Sequence, residues 1–162
     1  MDFNPIDKIP ELMEKLRAYN PIIRTKTDKG YDWLAEDSFC IEIPNPQAGK
    51  NITIECENEG EFTVCFAYFH SHHFADDYGY TEMCDDLLNL LNNKTCSAAI
   101  FCGSGNEWKG STMIEKDKIS LPIEEIFSFV YEHDKFAEQL RTNGGEARFD
   151  FWDGSLNKII KL

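Results

Sequence analysis

Glu61-Phe62-Thr63-Val64-Cys65-Phe66-Ala67-Tyr68-Phe69 runs straight into His70-Ser71-His72-His73-Phe74-Ala75-Asp76-Asp77. Tyr80, Met83, Cys84, Leu87, Leu88 and Leu91 then recur at helical spacing. The first run alternates and then turns apolar on both faces, which predicts a central strand covered on two sides. The last series lines one face of a helix, with Glu82, Asp85, Asp86 and Asn89 opposite. A strand, a histidine-rich connection and an amphipathic helix therefore form the middle of the chain.

Upstream, Phe39–Ile43 reads as a strand ended by Pro44, with Asn45-Pro46 and Gly49 in the loop that follows. Asn51–Cys56 alternates polar and apolar, and Asn58-Glu59-Gly60 supplies a hairpin turn. Ile6, Ile9, Met13 and Leu16 mark an N-terminal helix over about residues 6–19, ended by Asn20-Pro21 and regular from Ile9 or Pro10 onward. Between Ile22 and Glu36 the pattern is mixed, with a turn at Lys29-Gly30 and Trp33 expected as an anchor.

Downstream, Cys96–Cys102 and Trp108–Ile114 read as strands joined at Gly103-Ser104-Gly105-Asn106. Pro122 opens a helical segment carried by Ile123, Ile126, Phe127 and Val130 and continued by Phe136, Ala137 and Leu140. Asn143-Gly144-Gly145 stops it, and Ala147–Trp152, Asp153-Gly154 and Ser155–Leu162 form a closing hairpin. The expectation is a single α+β domain over residues 1–162, mainly antiparallel, with about three helices. Its N-terminal helix spans about 6–19 and its sheet-forming core about 37–162.

The 162 residues carry 16 Lys and Arg against 29 Asp and Glu, a formal net charge of −13. That balance excludes nucleic acid and anionic membrane as direct partners, since phosphate binding needs clustered cations. Apolar stretches such as Phe62–Phe69 fall far short of the ~18 residues that span a bilayer. Met1-Asp2-Phe3-Asn4-Pro5 lacks the basic start of a signal peptide, so a cytoplasmic protein is expected. Cys40, Cys56, Cys65, Cys84, Cys96 and Cys102 include no Cys-x-x-Cys pair and read as reduced, mostly buried thiols.

Three of the four histidines fall between Phe69 and Phe74. In an extended chain His70 and His72 share a side. With His73, Asp76 or Asp77, or the distant His133, they have the chemistry to hold zinc or another divalent metal, as a metal-dependent hydrolase would. The competing account has the imidazoles bonding loop backbone while Asp76 or Asp77 caps the next helix. His72 beside Asp76 or Asp77 also suits acid–base work, yet Ser71 lacks a Gly-x-Ser-x-Gly elbow and no cysteine has an electropositive setting. Gly103-Ser104-Gly105 lacks the ending of a phosphate loop and is not followed by a helix, so a hairpin turn is expected. No catalytic residue is assigned, and no cofactor is expected outside the metal reading.

Glu55, Glu57, Glu59 and Glu61 surround one hairpin, and Asp76, Asp77, Glu82, Asp85 and Asp86 gather around the central helix. Charge runs commonly do no more than solvate a face. The second group, however, is interleaved with His70, His72, His73, Tyr78 and Tyr80, a combination that suits a basic protein partner: carboxylates steer the encounter and aromatics anchor it. Trp33, Trp108 and Trp152 read as core or half-core anchors, Trp152 lying near a hairpin tip.

The segment Ala67-Tyr68-Phe69-His70-Ser71-His72-His73-Phe74, the acidic stretch after it, the leucine-rich helix and the final Trp152-Asp153-Gly154-Ser155 hairpin resemble small acidic bacterial proteins found beside polymorphic toxins. Many of those serve as immunity proteins. The resemblance follows the order of elements from Phe39 to Leu162, brings no established catalytic residues, and implies a cytoplasmic inhibitor of a basic toxin, often a nuclease. The leading expectation is thus a protein-binding domain with the His70 to Asp86 region as its contact surface, and the alternative is the metal-dependent hydrolase.

Overall fold

The computed structural model of the protein describes residues 3–47 and 49–162. Met1 and Asp2 of the N-terminal stretch, and Ala48 of the loop after Pro44, lie outside the described residues. The fold is α+β, with nine strands in two antiparallel sheets among these residues. The chain divides into two compact units between Leu88 and Asn89.

In the first unit a 3-10 turn at Pro5–Lys8 leads into α1 (Ile9–Lys15), and a second turn follows at Arg17–Tyr19. Asn4 starts the segment by accepting from the Ile6 N–H, Pro10 sits in the first turn of α1 where no backbone donor is needed, and Asn20 ends it in the left-handed region (φ 53). The strands are β1 (Ile22–Arg24), β2 (Phe39–Ile43), β3 (Ile52–Cys56), β4 (Phe62–Phe66) and β5 (Phe69–His73), laid side by side in chain order. Ile41, Ile54 and Val64 stand abreast, as do Ile43, Ile52 and Phe66, all fully buried. These rows fix the register, because a slip of one residue would carry every one of them to the other face. Then comes α2 (Asp77–Leu91).

One sequence expectation changes here. The run from Glu61 to Phe69 is two strands, not one, folded back at Ala67-Tyr68 so that Phe66 pairs with Phe69. Ala67 adopts φ 55, a conformation that favours glycine or asparagine, so nothing in the composition announced the turn. The histidines consequently lie within an edge strand rather than in a connection.

The second unit holds β6 (Thr95–Cys102), β7 (Glu107–Glu115), β8 (Gly145–Asp150) and β9 (Lys158–Lys161) in the order β7-β6-β8-β9. Every residue of β6 is buried. The helical segment after Pro122 is broken into α3 (Ile123–Ile126), α4 (Ser128–Tyr131) and α5 (Asp134–Asn143). The breaks fall at Phe127 (ψ 34) and His133 (ψ 102), both outside helical geometry. Phe127, Val130 and Leu140 pack with Cys96, Ala98, Ile100 and Phe149 as this unit's core.

Trp152 is buried, whereas Trp33 and Trp108 are exposed rather than core anchors. Trp33 is held by its indole N–H, which donates to the Gly30 carbonyl at 3.0 Å. All six cysteines are free thiols, five of them buried, and burial pushes Cys40, Cys56 and Cys96 up to about 12. Among the described residues no helix is long and apolar enough to cross a membrane.

Candidate functional site

Strand alternation splits the histidines. His70 pairs with Cys65 and His72 with Thr63 on one face of β5, while Ser71 pairs with Val64 and His73 with Phe62 on the other. On the first face the His70 and His72 rings meet edge to face, 5.1 Å between centroids. His72 Nδ1 lies 2.5 Å from Glu61 Oε1 and 3.2 Å from Thr63 Oγ1. Glu55, opposite Thr63, shares this face, and burial, reinforced by the Glu57 and Glu61 carboxylates and opposed by His72, raises its pKa.

That shift has a testable sign. A carboxyl raised above its ordinary value of 4.5 takes up a proton on folding, so its favourable contribution is complete at acid pH and is lost as the pH climbs through its raised folded value. Glu55→Gln is therefore expected to raise the Tm at pH 7 by roughly 1–3 °C and to change nothing at about pH 3.5. Thermal melts at the two pH values check this; a lower Tm at pH 7 contradicts it.

On the opposite face His73 is 6% exposed. Ser71 Oγ lies 3.0 Å from its Nε2, Asp86 Oδ2 3.5 Å from the same nitrogen, and Glu82 Oε2 4.0 Å from Nδ1. Burial raises the Asp86 pKa, with His73 working against the shift. Hydroxyl and near carboxylate thus converge on one nitrogen, and Nδ1 makes no hydrogen bond among the described residues. A base relay needs the hydroxyl on one ring nitrogen and an orienting acceptor on the other. This group instead seats α2 against the edge strand.

The turn into α2 is set by three hydrogen bonds, two within the backbone and one to the Asp76 carboxylate. The Asp76 N–H donates to the Phe74 carbonyl at 2.9 Å, the Gly79 N–H to Asp76 Oδ1 at 2.6 Å, and the Tyr80 N–H to the Asp76 carbonyl at 3.0 Å. Asp76 is therefore the helix cap. Gly79 allows the close approach, since a Cβ there would lie 2.3 Å from the Phe74 carbonyl oxygen. The tight turn thrusts the Phe74 side chain outward, 79% exposed, and Tyr78 in the first helical turn is 72% exposed. Around them stand Asp77, paired with Lys8 at 3.8 Å, together with exposed Glu82 and Asp85. Glu82 accepts from the Tyr78 phenol and raises its pKa.

Comparison with known protein families, with curated proteins and with solved structures finds no match. The site is read from its own geometry.

Of the partner-contact residues named from the sequence, His70, His72, Asp76, Asp77, Tyr78, Glu82 and Asp85 reach solvent and Asp86 is half-buried. His73 and Tyr80 do not lie on the surface: strand alternation turns His73 inward, and the helical period carries Tyr80, two residues past Tyr78, onto Phe62 and Phe3. The five residues named for a metal, His70, His72, His73, Asp76 and Asp77, are not brought together. His73 is on the far face, Asp76 is committed to Gly79, and Asp77 lies with Lys8. Among the described residues no three His, Cys, Asp or Glu side chains are grouped to hold a metal ion. Phe74 is the exposed aromatic of this surface that the sequence reading did not single out. Its signal was a lone aromatic between a strand end and the Ala75-Asp76-Asp77 cap, where no core position is available.

Proposed function

We propose that this protein is a cytoplasmic binding domain of the immunity type, which inhibits a basic toxin by covering it with the β5–α2 surface. Phe74 carries the reading. A fully projected phenylalanine is costly to leave in water, and here it stands beside a second exposed aromatic with carboxylates on its flanks rather than alone. In the complex the two rings enter apolar recesses of the partner, and Asp77, Glu82 and Asp85 pair with its lysines and arginines. The net charge of −13 draws the partner in before contact. Inhibition then needs no chemistry from this chain, only occlusion of a cationic cleft.

The test is capture of the basic partner from the source cell, followed by calorimetry of the purified pair. Phe74→Ala is expected to weaken binding by about 30-fold, the ~2 kcal/mol of one aromatic anchor. The melting temperature should hold to within about 2 °C, because exposed side chains contribute little to folding. Binding should also weaken steeply with salt. Expression of the partner alone should arrest cell growth, with rescue by the wild-type chain. A Phe74→Ala affinity equal to wild type, or a captured partner that is acidic, would sink the proposal.

A further inference from the structure

Each sheet ends in two edge strands, and three of these four edges are blunted. β1 is three residues long, follows Pro21 and carries Arg24. β7 bulges at Lys109, which has no opposite number between the Ile100–Gly110 and Phe101–Trp108 pairs. β9 holds Lys158 and Lys161. Shortness, proline, bulges and basic side chains are devices that keep an edge from pairing with another chain. β5 has none of them. Its five residues run in unbroken register with β4 and include neither lysine nor proline.

The register also determines which groups of β5 are open. Phe66 and Phe69 flank a two-residue turn, so they exchange both backbone bonds, and the Val64–Ser71 and Phe62–His73 pairs do the same. The N–H and C=O groups of His70 and His72 therefore point away from β4, along the free edge. No backbone hydrogen bond among the described residues takes them up.

This edge is flanked by negative charge on both faces. His73 lies 3.5 Å from Asp86 and 4.0 Å from Glu82, which sets the Tyr78–Glu82–Asp86 stripe of α2 beside the strand. Glu82 and Asp86 keep about half and a third of their side chains in solvent. On the other face Glu61, also partly exposed, lies 2.5 Å from His72. Lys8 is engaged by Asp77, and Lys50 by the Tyr68 ring at the hairpin turn. A second copy of the chain would set like charges against each other along such an edge, whereas a basic segment would not.

We propose that β5 takes up an extended basic segment of the partner as a sixth strand of the first sheet, bonded to the backbone of His70 and His72; the assignment rests on the protein-binding reading above. Side chains alternate along the added strand, so the one beside His73 is a lysine or arginine that reaches Asp86 and Glu82. Its neighbours on the other face lie beside His70 and His72, with Glu61 behind them. Backbone bonds supply the affinity, and the carboxylates select the segment.

The probe is an end-capped heptapeptide of alternating lysine and valine, titrated into the isotopically labelled full chain and followed by amide shifts and hydrogen exchange. The same peptide with glutamate in place of lysine is the control. At saturation the lysine peptide is expected to shift Phe69 to Phe74 and to slow exchange of the His70 and His72 amides by about tenfold or more. The glutamate peptide should bind about tenfold more weakly or worse. His72→Pro removes one outward N–H and no bond to β4, a change that an edge strand accommodates, while His72→Ala removes the side chain alone. The proline variant is expected to bind the lysine peptide about tenfold more weakly than the alanine variant does. Equal binding of both peptides, equal binding by the two variants, or shifts without protection at His70 and His72 overturns the strand pairing. If His72→Pro does not fold, the protection of the wild-type amides decides alone. Protection of those amides in the free chain that grows with protein concentration also overturns it, because the edge is then a contact between copies. Failure here is separable from failure of the parent reading. If Phe74→Ala weakens the captured partner while the His70 and His72 amides stay unprotected in that complex, the surface stands and the added strand falls. If the lysine peptide pairs with β5 but no basic partner answers to Phe74→Ala, the immunity-type reading falls and the edge remains an acceptor of basic strands.

Discussion

Gly79→Ala should melt at a lower temperature than the wild type and should lose its partner, although alanine normally strengthens a helix by up to about 1 kcal/mol over glycine. The sign reverses because the new Cβ would sit 2.3 Å from the Phe74 carbonyl oxygen and 2.8 Å from the Phe74 nitrogen. Both are backbone atoms, so no rotamer change relieves the clash. The chain must open the turn that Asp76 holds through its 2.6 Å bond from the Gly79 N–H. Overpacking of this kind costs about 1–3 kcal/mol, or roughly 2–10 °C in Tm for a chain of this size. Binding should suffer more than stability. Phe74 and Tyr78 are displaced together, and loss of both anchors is worth about 100-fold or more. Differential scanning calorimetry and titration of the captured partner give the two numbers. A gain in Tm with full binding would show that the turn does not depend on glycine.

Gly145→Ala is expected to be the most damaging single-methyl change in the second unit. Gly145 opens β8 opposite Cys102, at φ +158, and a Cβ would lie 2.0 Å from the Phe101 carbonyl oxygen. The same residue receives the Leu162 N–H at 3.0 Å, while Gly103 donates to the Gly144 carbonyl at 2.9 Å. A displaced Gly145 therefore loosens β6, β8 and the C-terminal strand at once. A loss of about 3 kcal/mol or more is expected, at the upper end of overpacking effects. Gly144→Ala, at φ 62 and ψ −158 in a region essentially confined to glycine, should lose about 1–3 kcal/mol, and Gly105→Ala, with open space around its Cβ, should be near neutral. Urea titrations of the three variants check the order. Equal midpoints for Gly145→Ala and Gly105→Ala would refute it.

The sequence was a good guide wherever one periodicity ran uninterrupted. β2, β3, β6 and β7 stand where their alternation placed them, and α2 runs through the leucine series to Leu91. It was a poor guide where the backbone departs from its usual chemistry. Ala67 turns the chain with a left-handed φ that alanine seldom adopts, and Phe127 breaks a helix from within an apolar stripe that looked continuous. The short strand β1 was lost in a mixed segment for a similar reason. It is set by pairing with β2, Ile23 opposite Ile41 and Arg24 bonded to Glu42 at 2.7 Å, and Ile22–Arg24 has no pattern of its own.

The same division runs through the candidate site. Composition alone determined the sign of the chain's net charge, because 29 acids stand against 16 bases whatever the fold. The amphipathic period determined that α2 would show carboxylates outward, and the alternation of β5 put His70 and His72 on one side. Only the tertiary structure decided that His73 faces away from them. That followed from a hairpin no local signal marked, and from pairing against Phe62. Only the tertiary structure decided that Phe74 is thrust into solvent, since its exposure depends on how closely a glycine in α2 approaches the backbone of the preceding turn. Local sequence specifies periodicity and charge because both are carried by neighbouring side chains. It cannot specify which side chain finds a partner, because that depends on residues distant along the chain.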